Sequence, residues 1–357
     1  MTAIEFYAMA AVLSCLGILS FALFCAAMYR GLNGRRQASD SARRQSEVSE
    51  CLMAYLSGSN DTIRLLGLAR SHPQLVSDAI FGLQGTVGGG ALDRLCGLAL
   101  ELGLVNEWID DTHARDLIRR HRAYERLAFV SQSEPCRRRA GDVFLIALSD
   151  ANMDIRLTAA RGAALSEVPE ELAQVFDFAI SQGPLVRILL ADALRRNSLA
   201  LSESAIPSVL ESSDTDRVLA ALEILVAWER AVPLNDIHGL FAQPDKRIRI
   251  CALKLASLVP LGDESRIAIV EALRDPDAEV STVAALTAGR LQISEALPSL
   301  ARLLRTAPAD VARSAAAALA EMAPRGWQTL EELGANSSPL TSGLSREALD
   351  RTRRMRP

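Results

Sequence analysis

The sequence predicts an all-α fold built as a stack of helical hairpins, and three observations predict it. An apolar residue, usually with Arg beside it, recurs at Ile63, Leu92, Tyr124, Ile155, Val186, Val218, Ile248, Val280 and Val311, in steps of 29, 32, 31, 31, 32, 30, 32 and 31 residues by subtraction. Such a period marks a repeat architecture, in which each unit buries its apolar face only by stacking on its neighbours. Within the units, small or apolar residues follow at helical spacing: Ala159, Ala160 and Ala163 after Ile155; Ala284, Ala285 and Ala288 after Val280; Ala315, Ala316 and Leu319 after Val311. Finally, no alternating run of strand type appears.

The chain opens on a run without charge from Phe6 to Tyr29, 24 residues by their numbers. At 1.5 Å per residue that helix reaches roughly 36 Å, enough for a bilayer core. Residues 1–29 are therefore predicted as a transmembrane helix. Arg30, Arg35, Arg36, Arg43 and Arg44 follow it, while only Glu5 precedes it. By the positive-inside rule this places the N-terminus outside and the remainder in the cytoplasm, at a bacterial inner membrane. A cleaved signal peptide fits less well, because no basic residue precedes the apolar run. Residues 30–47 read as a basic juxtamembrane linker, residues 48–333 as the solenoid, and residues 334–357 as a linker (GANSSPLTSG, 334–343) followed by a basic tail.

The repeat unit has two helices. A shorter amphipathic segment, such as SRIAIVEALRD (265–275) or ALPSLARLLRT (296–306), precedes each helix that carries the rhythm. Pro207, Pro276 and Pro298 sit near helix starts, and Asp214, Asp245, Asp275 and Asp310 are placed to accept hydrogen bonds from helix-terminal N–H groups. The stretches around DANMDIRLTAARGAAL (150–165) and LPSLARLL…DVARSAAAALAEM (297–322) resemble HEAT-type repeats, including the bacterial form related to phycobilisome-lyase repeats. The resemblance covers about residues 48–322 and departs at GTVGGG (85–90) and EWIDDTHARDLIRRHR (107–122). It implies a right-handed armadillo-type superhelix of about nine hairpins. It specifies fold better than function.

Composition narrows the function classes. The net charge is −4, which gives no general affinity for nucleic acid. Lysine occurs only at 246 and 254, so the basic residues are nearly all Arg, a bias of G+C-rich bacterial genomes. The six cysteines (15, 25, 51, 96, 136 and 251) form no CxxC pair and read as small, reduced hydrophobes. Of the candidate sites, Arg156, Arg187, Arg217, Arg249 and Arg313, with Asp154, Asp245 and Asp310, read as a structural ladder along one edge; an anion-binding stripe is the functional alternative. Asp110, Asp111, His113, Asp116 and His121 form the one His/Asp concentration, with His113 and Asp116 on one helix face, but no third ligand at suitable spacing. The His-Glu iron ligands of the related deoxyhypusine hydroxylases are absent. Trp108, Trp228 and Trp327 are candidate interface anchors or core residues. No catalytic, cofactor or metal site is expected.

The expectation is thus a membrane-anchored scaffold, not an enzyme. It would bind protein partners on the solenoid surface and the lipid bilayer through residues 6–29, with no nucleic acid and no small-molecule substrate. The alternative is a prosthetic-group lyase or chaperone-like protein, as the phycobilisome-lyase resemblance implies. That alternative requires a ligand-sized pocket with convergent polar groups.

Overall fold

In the computed structural model, residues 43–58, 62–229, 234 and 237–355 are described. Among them there are helices and no strand. The chain divides into two units, residues 1–113 with 132–136, and residues 114–131 with 137–357.

The described part of the first unit contains α1 (residues 43–56), α2 (Thr62–Ser71), α3 (Pro73–Gly82), α4 (Gly90–Glu101) and α5 (Leu104–Asp111). Val48, Leu52, Leu65, Val76, Ile80, Leu95, Leu98 and Trp108 are its buried core. The GTVGGG departure is a turn: Gly85 and Gly89 have φ of 78° and 57°, values that residues with a Cβ rarely adopt. Gly89 then caps α4.

The second unit runs from α6 (Leu117–Val130) through α7 (Glu134–Ala147, whose first turn belongs to the first unit), α8 (Met153–Ala163), α9 (Pro169–Ser181), α10 (Pro184–Leu194), α11 (Ser198–Glu203), α12 (Ala205–Leu210) and α13 (Thr215–Ala227). It continues with α14 (His238–Phe241), α15 (Lys246–Ala256), α16 (Asp263–Ala272), α17 (Ala278–Arg290), α18 (Leu297–Thr306), α19 (Ala309–Glu321), α20 (Arg325–Asn336) and α21 (Pro339–Met355). Helices α6, α8, α10, α13, α15, α17, α19 and α21 pack each on the next in that order. The helices between them pack on these as hairpin partners: α9 on α10, α12 on α13, α14 on α15, α16 on α17, α18 on α19 and α20 on α21. This two-layer array, in which each hairpin meets its sequence neighbours, is an α-solenoid.

All nine rhythm positions fall on helices, and Val186, Val218, Ile248, Val280 and Val311 fall on the second helix of one of these pairs. The stricter period lies in the caps of those helices: Asn152, Gly183, Asp214, Asp245, Asp277 and Pro308, spaced 31, 31, 31, 32 and 31 by subtraction. The side chains of Asn152, Asp214, Asp245 and Asp277 accept hydrogen bonds from N–H groups of the first turn, which would otherwise have no partner within the helix. Asp275 sits one step earlier, accepting from the N–H of Asp277 at 2.9 Å. Asp310 caps nothing, since Pro308 holds that place.

Packing between second helices is backbone-close. Ala284, Ala285 and Ala288 of α17 and Ala312, Ala315 and Ala316 of α19 are buried. A Cβ built on Gly289 would lie 2.6 Å from the Cα of Ala318, so glycine is required by the approach of the two helices. Two rhythm positions depart from the core. Ile63 is 84% exposed while Leu65 is fully buried, two residues or 200° further round the helix. Val186 is half-buried.

Three expectations are corrected. The localisation in a bacterial inner membrane is overturned: among the described residues no helix is long and apolar enough to cross a membrane. The last helix, α21, has 17 residues and carries Arg346, Glu347, Asp350 and Arg351, whereas a span needs about 20 apolar ones. The run 6–29 and Arg30, Arg35 and Arg36 lie outside the described residues. Second, the expected linker 30–47 includes helical residues from 43 onward, with Arg43 and Arg44 exposed and Glu47 paired to Arg64 at 2.9 Å. Third, residues 334–355 are not a linker and tail. They end α20 and form the whole of α21, with Thr341, Leu344 and Ser345 buried. Ser338 takes the N-terminal hydrogen-bonding role at α21, accepting from the N–H of Thr341 at 3.4 Å, so the Ser- and Pro-rich composition is a helix start.

Substituting Gly289→Ala is expected to lower the unfolding free energy by about 1–3 kcal/mol through overpacking. Gly97→Ala in α4, where the added Cβ meets nothing within 4 Å, is expected to gain up to about 1 kcal/mol from helix propensity. Urea denaturation of the two variants measures both.

Candidate interaction surface

The ladder residues separate into rungs of different kinds. Arg249, four residues beyond its cap, has its side chain mostly buried. Its guanidinium donates to both carboxylate oxygens of Asp275, at 2.8 and 3.1 Å, and to the carbonyls of Gln243 and Pro244, at 2.8 and 2.9 Å. One side chain thus ties its own turn to the next. Arg156, at the equivalent place, donates to the carbonyls of Asp150 and Ala151, at 2.7 and 3.2 Å. Asp150 instead meets Arg120 at 3.4 Å. Arg120 holds the same position after its cap Asp116, and the sequence rhythm, centred on Tyr124, passed over it. Arg187 meets Glu223 at 3.1 Å, and Arg217 meets Asp177 on α9.

The remaining predicted members do not join. Asp245 holds Arg247 at 2.7 Å rather than Arg249. Among the described residues Asp154, Asp310 and Arg313 form no ion pair, and all three are exposed. The outer edge is completed by Lys246, which meets Asp277 at 3.0 Å and Glu279 at 3.4 Å. Donation from Lys246, then from backbone N–H groups, holds the Asp277 carboxyl below the usual range. Arg247 does the same to Asp245. With most guanidiniums matched to carboxylates or carbonyls, the edge offers an anion few free donors.

The other candidates are internal or dispersed. Trp108 is buried and donates to Ser77 Oγ at 3.0 Å; Trp228 is buried, and half-buried Trp327 donates to the Ala320 carbonyl at 2.8 Å. None offers an exposed anchor. His113 and Asp116 do not share a helix: α5 ends at Asp111, α6 begins at Leu117, and Asp116 caps it by accepting from the Ile118 N–H at 3.2 Å. Among the described residues no group of three or more His, Cys, Asp or Glu is placed to hold a metal.

What the second helices present outward is apolar in the middle of the array. Counting from each cap, the second, fifth, sixth and ninth positions share one side of the helix. In α10 these are Leu185, Ile188, Leu189 and Asp192, and the first three are 80%, 60% and 61% exposed. The fifth positions of α8, α13 and α15 are Leu157, Leu219 and Ile250, the first half-buried and the others buried. Charges stand at the second and ninth positions: Asp154 and Arg161, Asp216 and Glu223, Arg247 and Lys254. The result is an exposed apolar patch on α10 between charged margins. Further along, α19 and α21 enclose a groove of about 340 Å³ with Ala316, Ala317, Ala320 and Ala348 as its small side chains and Arg313, Glu321, Glu347 and Arg351 around it. Its charges are of both signs, and its volume is at the lower end of ligand sites.

No family model and no curated protein matches the chain. Several solved structures match at low superposition scores. YibA of Escherichia coli is 16% identical, with 71% of this chain and 97% of that chain covered and a TM-score of 0.38. Human deoxyhypusine hydroxylase in complex with glycerol is 18% identical, with 88% and 99% covered and a TM-score of 0.30. Kap121p bound to RanGTP is 11% identical, with 85% of this chain but 45% of that chain covered and a TM-score of 0.39. The α-solenoid assignment rests on this chain's own helix packing and not on these likenesses.

Arg249→Ala is expected to cost about 2–3 kcal/mol, because it strands Asp275 and two carbonyls. Arg247→Ala, at a side chain 56% exposed, is expected to leave the unfolding midpoint nearly unchanged, because solvent screens the pair. Chemical denaturation distinguishes the two. For Asp277 the folded-state value is depressed, so its contribution is present above the unfolded carboxyl value and is lost as pH falls through the folded one. Lys246→Met is expected to move the Asp277 titration upward, as read by carboxyl NMR.

Proposed function

We propose that this chain is a protein-binding helical-repeat scaffold whose second-helix face, centred on α10, receives the partner. The observation that carries this reading is the exposure of Leu185, Ile188 and Leu189 on a single helix face. Isolated exposed apolar residues are ordinary, but three at i, i+3 and i+4, rimmed by charge, form a patch of the kind found at interaction sites. The chain in this reading binds and performs no chemistry of its own. The expected count of about nine hairpins in a right-handed superhelix belongs to the same reading.

Magnitudes limit what the patch does alone. Desolvating three such side chains contributes on the order of 5–9 kcal/mol gross. Association costs about 4–15 kcal/mol before any surplus appears. The partner must therefore extend beyond the α10 patch, towards half-buried Leu157 of α8, and its polar groups must meet the charged margins. An amphipathic helix or extended segment with apolar residues on one side fits that demand.

Replacing Leu185 and Ile188 together by Glu is expected to abolish capture of the bound proteins from extract while leaving the unfolding midpoint within error, since both positions are solvent-exposed. Ile146→Glu on α7, 75% exposed but on a first helix, serves as the control and is expected to capture as the unmodified chain does. Equal capture by all three proteins, or equal loss in both variants, would sink the assignment of the face.

A further inference from the structure

Two of the cysteines are placed together. Cys96, in the middle of α4, and Cys136, in the first turn of α7, are both completely buried. Both belong to the first unit. Cys136 Sγ lies 3.6 Å from the Cys96 carbonyl oxygen, to which it donates, and the two thiols lie close enough to perturb one another's acidity. Buried Ser133, three residues before Cys136, directs its hydroxyl and its backbone N–H at the Cys96 sulfur. Side chains already in contact can be bridged without moving their helices far, since a disulfide requires Cβ atoms about 3.5–4.5 Å apart.

The environment separates the two thiols chemically. Donation from Cys136, opposed by burial and assisted by Ser133, holds Cys96 below the ordinary thiol range. The same contact, with burial, pushes Cys136 upward. Cys96 is therefore the more acidic thiol of the pair and Cys136 the less acidic. Elsewhere the contrast is plain: the Cys251 thiol is pushed up to about 11 by burial, and no second cysteine accompanies it among the described residues.

We infer that Cys96 and Cys136 form an oxidisable dithiol that a hydroperoxide closes to an intramolecular disulfide. In the first step the Cys96 thiolate attacks one peroxide oxygen. The O–O bond breaks, hydroxide leaves and takes up the proton that Cys96 gave up on ionising to form water, and the sulfur becomes a sulfenic acid. In the second step Cys136 sulfur attacks the Cys96 sulfur. The S–O bond breaks, and the Cys136 proton leaves with the hydroxyl as water. Two thiols and one hydrogen peroxide give one disulfide and two waters; each sulfur is oxidised by one electron and the peroxide is reduced by two. The bridge would fasten the middle of α4 to the start of α7, and a dithiol reductant would reverse it.

The full-length chain is treated with hydrogen peroxide, quenched in acid, unfolded, alkylated and digested. The expected result is a mass lower by two hydrogens and a peptide linking Cys96 to Cys136, both reversed by dithiothreitol. In Cys136→Ala the oxidation is expected to stop at a sulfenic acid on Cys96, trapped by dimedone. Peptide mapping of the unmodified chain alone decides the matter if that variant does not fold. Recovery of both cysteines as alkylated thiols after peroxide, or linkage of either to a different cysteine, overturns the inference.

Discussion

The array depends on how closely its second helices approach one another. Where α17 meets α19, the space between backbones is too small for a Cβ at Gly289, and the surrounding positions are alanines. Little area is buried per side chain in such a contact, so its strength comes from the number of atoms brought to van der Waals distance. This explains why the chain is rich in Ala and Leu and poor in aromatics. A large ring would force neighbouring helices apart, and because the contacts repeat, the error would pass to the next hairpin.

Polar interactions then fix the register that the small residues leave loose. Alanine surfaces slide past one another more readily than interlocked large side chains. The turns supply what is missing: capping carboxylates end one helix and start the next, and Arg249 binds two carbonyls of its own turn and the carboxylate of the following one. A side chain that bridges consecutive turns in this way sets their spacing. That task favours Arg over Lys, because the planar guanidinium carries enough donors for both turns at once.

The sequence made the stacking legible and the edges less so. The helix-bearing residues could be found because apolar periodicity is set by burial, and from Ile155 onward every rhythm position except Val186 is buried. Tyr124 was aligned by its apolar character, yet its cap, Asp116, places Arg120 rather than any neighbour of Tyr124 in the ladder. Identity of residue type carried too little information to detect a shift of register there. The segment around Ser338 was misleading for a similar reason, since Ser and Pro favour both loops and helix starts. The side-by-side thiols were not legible at all: 40 residues separate Cys96 from Cys136 by number, and only tertiary packing unites them. The exposed face of α10 was hidden in an apolar run, PLVRILLADAL, in which nothing local distinguishes Leu185 from the buried Leu190.

The hairpin-to-neighbour packing of the second unit has a kinetic side. Contacts that span one repeat length and seldom more close small loops, so forming them requires little ordering of distant chain. Unfolding in such a chain need not be a single event. Opening of one hairpin loosens only its neighbours, so it is expected to travel hairpin by hairpin. A partner seated at α10 would then act as a clamp, slowing the passage of that opening through the hairpins around it while leaving more distant hairpins free to open.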